Sequence, residues 1–141
     1  MKRQRQLAAL AAGTALVVSS GAALAHHSFA MFDADQKVSL SGTVKEFQWT
    51  NPHAWIFLMA PNHDGQLEQW AVELGGPGQL ARQGWTPATL KPGMDVKMVI
   101  HPLRDGTNGG QFMGLTLPDG TQLGNPDRGG RPGNGADGVG P

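Results

Sequence analysis

The sequence predicts a mostly β fold: a small, OB-like five-stranded barrel with a short helix between strands three and four. Three observations predict it. Apolar residues between Val38 and Leu123 recur at every second position, the period of a strand that buries one face. Turn signals rich in Gly, Pro, Asn and Asp separate those runs at short intervals. Short helical stretches are expected in one place only, between Gln79 and Leu90.

The first strand starts with Val38, Leu40 and Val44 in phase; the phase then slips and Phe47 and Trp49 take over, which predicts a bulge near Lys45-Glu46. Thr50-Asn51-Pro52 is a turn, because proline cannot donate to a ladder and Asn favours turn initiation. Ala54 to Ala60 is apolar on both faces, as a buried strand would be. Asn62-His63-Asp64-Gly65 is a hairpin loop with an Asp-Gly signal, and it leads into Leu67 to Leu74. In that strand Trp70, Val72 and Leu74 share one face and Gln69 and Glu73 the other.

Gly75-Gly76-Pro77-Gly78 breaks the pattern. Gln79 to Gln83 forms a short helix with Leu80 inward and Gly84 closing it, and Thr86-Pro87 starts another helical turn through Leu90. Lys91-Pro92-Gly93 turns the chain into a fourth strand, Met94 to His101, with Val96, Met98 and Ile100 in phase. Pro102 to Gly110 is a polar, Gly-rich loop; Phe112 to Leu117 is the fifth strand, and Pro118-Asp119-Gly120 turns into a short return ending at Leu123. Three strands, a helix and two strands is the OB-like order, with a small open sandwich as its competitor. In such a barrel the ligand face lies on strands two and three, between the loops after strands one and four, here Thr50–Pro52 and Pro102–Gly110.

The two ends read differently. Lys2, Arg3 and Arg5 precede an apolar run, Leu7 to Ala25, that closes on Ala23-Leu24-Ala25. A basic start, an apolar run and small residues at −3 and −1 make residues 1–25 a cleavable signal peptide, with the mature chain starting at His26 in the periplasm or outside the cell. No other apolar stretch approaches the ~20 residues of a span, so no membrane anchor is expected after cleavage. Residues 26–36 form an N-terminal arm, 37–123 the β domain, and 124–141, with seven Gly and three Pro, a tail expected to be disordered.

Composition excludes several chemistries. The chain has no cysteine, which removes disulfides, thiolate metal sites and cysteine nucleophiles. Removing Lys2, Arg3 and Arg5 leaves eight basic residues against eleven acidic ones, a mature net charge of −3 with neutral His. With no basic cluster, nucleic acid is not an expected partner. Ser28 near His27 has no base and orienter, Glu46, Glu73 and Asp105 are scattered carboxylates, and no phosphate loop is present, so conventional catalysis finds little support.

The chemistry-bearing residues are the histidines. A mature His26 offers a free α-amine and its own imidazole, which can chelate one metal ion, and His27 adds a second imidazole. Nitrogen donors in a planar array suit Cu(II), the strongest-bound of the divalent series, and less specifically zinc. His53, straight after Asn51-Pro52, is the natural third ligand of a brace-type site, and His101 lies at the end of strand four beside the other loop. The arm of eleven residues spans up to ~36 Å, so reach is no obstacle. The bland alternatives are a frayed arm, a turn histidine at 53 and an outward strand histidine at 101; His63 is read as an exposed loop residue. Met31 could bind Cu(I), whereas Met59, Met98 and Met113 are read as packing residues. Of Trp49, Trp55, Trp70 and Trp85 most are expected in the core, with Trp55 flanking His53.

His26-His27-Ser28-Phe29, Phe32-Asp33, Gly42-Thr43-Val44, Trp49-Thr50-Asn51-Pro52-His53-Ala54-Trp55, Trp70-Ala71-Val72-Glu73, Gly84-Trp85-Thr86 and Leu90-Lys91-Pro92-Gly93 together resemble a family of small exported bacterial proteins classed as a domain of unknown function. The resemblance covers nearly all of residues 26–123, and the tail is an addition to it. It brings no mechanism, but implies that the His-His start and the Asn-Pro-His turn share a role. The sequence thus leads to an exported metal-binding protein with His26, His27, His53 and His101 as candidate ligands. The alternative is a metal-free binding module for a small molecule, glycan or protein partner; a purely structural envelope role is the third reading.

Overall fold

A computed structural model describes residues 30–126. Its strands are β1 (Val38–Gln48), β2 (Trp55–Pro61), β3 (Leu67–Glu73), β4 (Asp95–Pro102), β5 (Gly109–Thr116) and β6 (Gln122–Gly124), with α1 (Pro77–Arg82) between β3 and β4. They form one sheet in the order β3-β2-β1-β4-β5-β6, and β3 also pairs with β5 in parallel, which closes the first five strands into a barrel. A β1–β2–β3 meander, a helix, then β4 and β5 returning to close on β3 is the OB fold. The expected architecture is therefore present, with β6 as an extra strand on β5.

Closure depends on β1. Its first half, Val38 to Thr43, pairs with β4, and its second half, Thr43 to Gln48, pairs with β2. One strand serves two neighbours only if it bends, and two features bend it. Gly42 lies where a Cβ would overlap the Met59 carbonyl oxygen and come within 3.1 Å of Ala60 Cα, so the β2 backbone occupies the space a side chain needs. The register shift between Val44 and Glu46 is the bulge that the slipped phase implied.

Inside the barrel, Val44, Ile56, Leu58, Val72, Met98 and Ile100 are the largest fully buried side chains, one or two from each of β1 to β4. Burying each contributes roughly 1.5–3 kcal/mol relative to leaving it in water. Leu80 of α1, Trp85 and Leu90 join that core from the segment between β3 and β4. Trp85 packs edge-on against Phe112 at 5.4 Å and tilted against Phe47 at 6.0 Å.

Three local readings change. The helix begins at Pro77, not Gln79, because proline fits the first helical position, where no intrahelical N–H is needed. The stretch after Thr86-Pro87 makes a single turn closed by Thr89 N–H donating to the Thr86 carbonyl, not a helix. And β2 is buried on one face only: Ile56, Leu58 and Ala60 are fully inside, while Trp55, Phe57 and Met59 alternate outward and are half-buried, so Met59 is not a core residue.

The barrel also reaches past the expected domain limits. At its start Phe32 bridges Leu103, and at its end Gly124 closes β6 and Lys37 Nζ donates to the Pro126 carbonyl at 2.7 Å. Residues 127–141 of the expected tail, like residues 1–29, lie outside the described residues.

Replacing Gly42 by Ala forces β1 and β2 apart and is expected to cost about 1–3 kcal/mol. Gly78 in α1 has nothing within 4 Å of a built Cβ, so Gly78→Ala is expected to be neutral or to stabilise by about 0.5–1 kcal/mol. Urea unfolding of the two variants checks the pair: the first midpoint falls and the second does not.

Candidate functional site

The turn from Thr50 to Ala54 is clamped onto the end of β3. Ala54 N–H donates to the Gly75 carbonyl and Leu74 N–H to the Ala54 carbonyl, at 3.1 and 2.9 Å. Thr50 Oγ1 donates to the His53 carbonyl at 3.1 Å, and a Cβ at Gly76 would lie 2.8 Å from the Pro52 carbonyl oxygen. Glycine at 76 is thus what lets the turn close down on the strand.

That clamp brings His53 against Glu73. His53 Nδ1 contacts Glu73 Oε1, with the imidazole 36% and the carboxylate 13% exposed. Trp55 pairs with Glu73 across β2 and β3, so the aromatic ring flanks the pair on the same face. The carboxylate accepts from Nδ1–H, so Nδ1 is the ring nitrogen that the pair occupies.

Register carries this face further round the barrel. Glu73 is level with Gln111 on β5, and Gln111 with His101 on β4. Side chains in one row of a sheet share a face, and the neighbours Val72, Leu74, Ile56 and Ile100 all point inward. Trp55, Glu73, Gln111 and His101 therefore form one row on the outer surface. At ~4.8 Å per strand, the Cα atoms of His101 and Glu73 are about 10 Å apart.

His101 is nonetheless only 2% exposed, the one buried polar or charged side chain among the described residues. The arm covers it. Asp33 N–H donates to the Pro102 carbonyl at 2.8 Å, Arg104 Nε donates to the Phe32 carbonyl at 3.0 Å, and Arg104 also faces Asp33 at 3.7 Å. Phe32 is buried there, apart from the main core. His101 Nδ1 lies 2.6 Å from the Gln36 carbonyl. A carbonyl only accepts, so Nδ1 carries the proton, and the buried Nε2 has no hydrogen-bond partner. An orphaned buried polar group of this kind costs about 1–3 kcal/mol.

Of the four candidate ligands, His26 and His27 lie outside the described residues. His53 contacts Glu73, which stands in the outer row with His101, and among the described residues no group of three His, Asp or Glu could hold a metal ion. His63 is an exposed loop residue beside Asp64, as expected. Trp85 is buried, and Trp49 and Trp70 pack against the core from partly buried positions, which leaves Trp55 as the outer-face tryptophan.

Glu73 was the residue that sequence reasoning missed. Its signal was the hairpin: counting back from Asn62–Gln66, which exchange hydrogen bonds across the loop, sets Trp55 opposite Glu73 and so puts the carboxylate two residues from His53. A second carboxylate ties the hairpin to the far loop. Glu68 accepts from Asn62 Nδ2 and Asn108 Nδ2, both at 2.9 Å, and these bonds, the Asn62 one first, hold its carboxyl below the usual Glu range.

The barrel topology makes this a protein of the OB class, with His53 just before β2 and Glu73 at the end of β3. More narrowly, the chain belongs to a family of unknown function, DUF6152, whose model matches residues 13–112. No curated protein matches the chain significantly. Among solved structures it is similar to the mitochondrial single-stranded DNA binding protein Rim1 of S. cerevisiae. One crystal structure of that protein matches at 15% identity and TM-score 0.44, over 59% of this chain and 94% of that one. A selenomethionine-labelled structure matches at 16% identity and TM-score 0.40, over 64% and 96%.

Two outcomes follow from these contacts. His53→Ala and Glu73→Ala should each destabilise the fold by about 1–2 kcal/mol, with a coupling of about 1 kcal/mol in a double-mutant cycle read by urea unfolding. The Glu68 clamp should be pH-dependent. Its folded carboxyl is the more acidic, so the clamp's stability is complete above the unfolded Glu range and lost as pH falls through the depressed folded value. The midpoint difference between wild type and Glu68→Gln should therefore shrink on acidification.

Proposed function

We propose that the protein is an exported metal-binding protein that holds Cu(II) through the α-amine and imidazole of His26, with His53 as the ligand supplied by the barrel. Export creates this site, because the free amine exists only after cleavage behind Ala25. The observation that carries the reading is the Glu73 carboxylate on His53 Nδ1. Metal-bound histidines keep their other ring N–H on a carboxylate or carbonyl, which fixes the tautomer, orients the ring and raises its basicity. His53 has that partner, with a free Nε2, at the rim of a clamped turn. Three nitrogen donors of this kind fit Cu(II) best and Zn(II) second. His27 is the alternative donor on the arm. The protein's role would be copper storage, delivery or sensing, with His26 and His53 as donors and Glu73 orienting His53.

A second reading is favoured by the outer face of β2. Trp55, Phe57 and Met59 form a half-exposed apolar strip outside the core cluster, in the position where OB barrels take ligands. On that reading the protein is a metal-free binding module for a small molecule, glycan or protein partner.

Competition titration with Cu(II) separates the two, using exported protein whose His26 start is verified by intact mass. Tight one-to-one binding is expected. One extra N-terminal Gly or His53→Ala should weaken it by about 100-fold or more, and Glu73→Gln by about 10- to 100-fold. Weak binding, or tight binding indifferent to the extra residue, overturns the copper site and leaves the binding module.

A further inference from the structure

The parallel seam that closes the barrel begins on an Asn-Gly pair, Asn108-Gly109. Asparagine is a thermolabile residue, and a following glycine has no side chain to shield its backbone nitrogen from the asparagine amide carbon. Here both residues take part in the closure. Asn108 is exposed; its Nδ2 donates to Glu68 Oε2 at 2.9 Å and its carbonyl accepts from Ala71 N–H at 3.1 Å. Gly109 is buried, stands level with Ala71 across the seam, and gives its N–H to the Thr107 carbonyl at 2.8 Å. The nucleophile and the leaving group of a deamidation are therefore both engaged, one by Thr107 and the other by Glu68. Glu68 is itself held from the β2–β3 hairpin by Asn62 Nδ2 at 2.9 Å, so its carboxylate latches that hairpin to the β4–β5 loop.

We propose that Asn108 is a modification site, latched by Glu68, at which a local opening of the β3–β5 seam becomes permanent through deamidation. In the opened loop the Gly109 nitrogen loses its proton to hydroxide and attacks Asn108 Cγ. The N–Cγ bond forms, the Cγ–Nδ2 bond breaks, and the amide nitrogen leaves as ammonia with a proton returned by water. Water then opens the five-membered imide at either carbonyl. Attack at Cγ gives an aspartate on a normal backbone; attack at the main-chain carbonyl gives an isoaspartyl linkage, whose backbone is one carbon longer.

Neither product recloses as before. An ionised aspartate only accepts, so two carboxylates meet where an amide donated to one. The isoaspartyl form lengthens the backbone immediately before Gly109, where the approach is already so close that a Cβ would lie 3.0 Å from the Ala71 carbonyl oxygen. The inference is independent of metal binding.

The test incubates the purified full chain at mildly alkaline pH, folded and in urea, and reads conversion at Asn108 by peptide mass with the aspartyl and isoaspartyl forms separated. The urea-unfolded chain sets the unrestrained rate, and the folded wild type should convert more slowly. Folded Glu68→Ala should convert about 10-fold faster than folded wild type, and no faster than the unfolded chain. Leu90→Ala, a core truncation outside the seam, should stay near the folded wild-type rate. Converted protein, and Asn108→Asp, should unfold at lower urea than wild type. The inference is overturned if Glu68→Ala converts at the wild-type rate, or if folded and unfolded wild type convert alike. It is equally overturned if Leu90→Ala accelerates conversion as much as Glu68→Ala, because the opening is then global, or if converted protein keeps the wild-type midpoint, because the seam then recloses. Should Glu68→Ala fail to fold, Asn62→Ala frees the same carboxylate from the hairpin side and should accelerate conversion; an unchanged rate there counts against the inference.

Discussion

The bend in β1 is the constraint on which the remainder of the molecule depends. A strand that pairs with β4 over its first half and with β2 over its second must turn between them, and Gly42 is where the β2 backbone comes too close for any side chain. The bulge at Lys45 adds local twist in the same strand. Without that turn, β3 and β5 would sit at opposite edges of an open sheet with unpaired backbone groups. With it they meet, and the parallel pairing of Ala71 to Glu73 with Gly109 to Gln111 closes the barrel. Gly109 makes the closure possible, since a Cβ there would lie 3.0 Å from the Ala71 carbonyl oxygen; on the β4 side, a Cβ at Gly110 would overlap the His101 carbonyl oxygen.

Closure is also what gives the outer face its chemistry. Gln111 has a partner on each side, Glu73 and His101, only because β5 lies between β3 and β4 in the closed barrel. Residues as far apart in sequence as Trp55 and Gln111 thereby fall into one row. The side-chain period of two then decides that they face outward together, since each is flanked by a buried neighbour. The same closure pins the β4–β5 loop beside β3 through Asn108 and Glu68, and that loop carries Arg104, which anchors the arm.

The fold was largely legible because its signals are local. Alternation, the phase slip at Lys45-Glu46, the Asn-Pro turn and the Asp-Gly hairpin each speak for a few residues, and the element order follows from them. Where reading failed, the deciding contact was distant. Whether Phe57 and Met59 face the core or the outside depends on which face of β2 the barrel encloses, and a run that is apolar on both faces does not say. Pro77 looks like a breaker until the helix that starts on it is seen to need no N–H there. The docking of Phe32 and Asp33 depends on a carbonyl at Pro102 and a guanidinium at Arg104, both presented by a loop about seventy residues away. The histidines could be named from the sequence as candidates, but their hydrogen-bond partners could not, since Glu73 and Gln36 are reached only through register and arm placement.

Those partners are what separate the two histidines. Both give Nδ1–H to an oxygen and keep Nε2 unshared, so on tautomer alone they are equivalent. Their surroundings are not. The acceptor at His53 is a carboxylate, and the ring is 36% exposed. The acceptor at His101 is the neutral carbonyl of Gln36, and the ring is buried. One imidazole is therefore half-open beside a carboxylate and the other sealed beside a carbonyl. That difference lies in what covers each ring, which the residue type alone does not reveal.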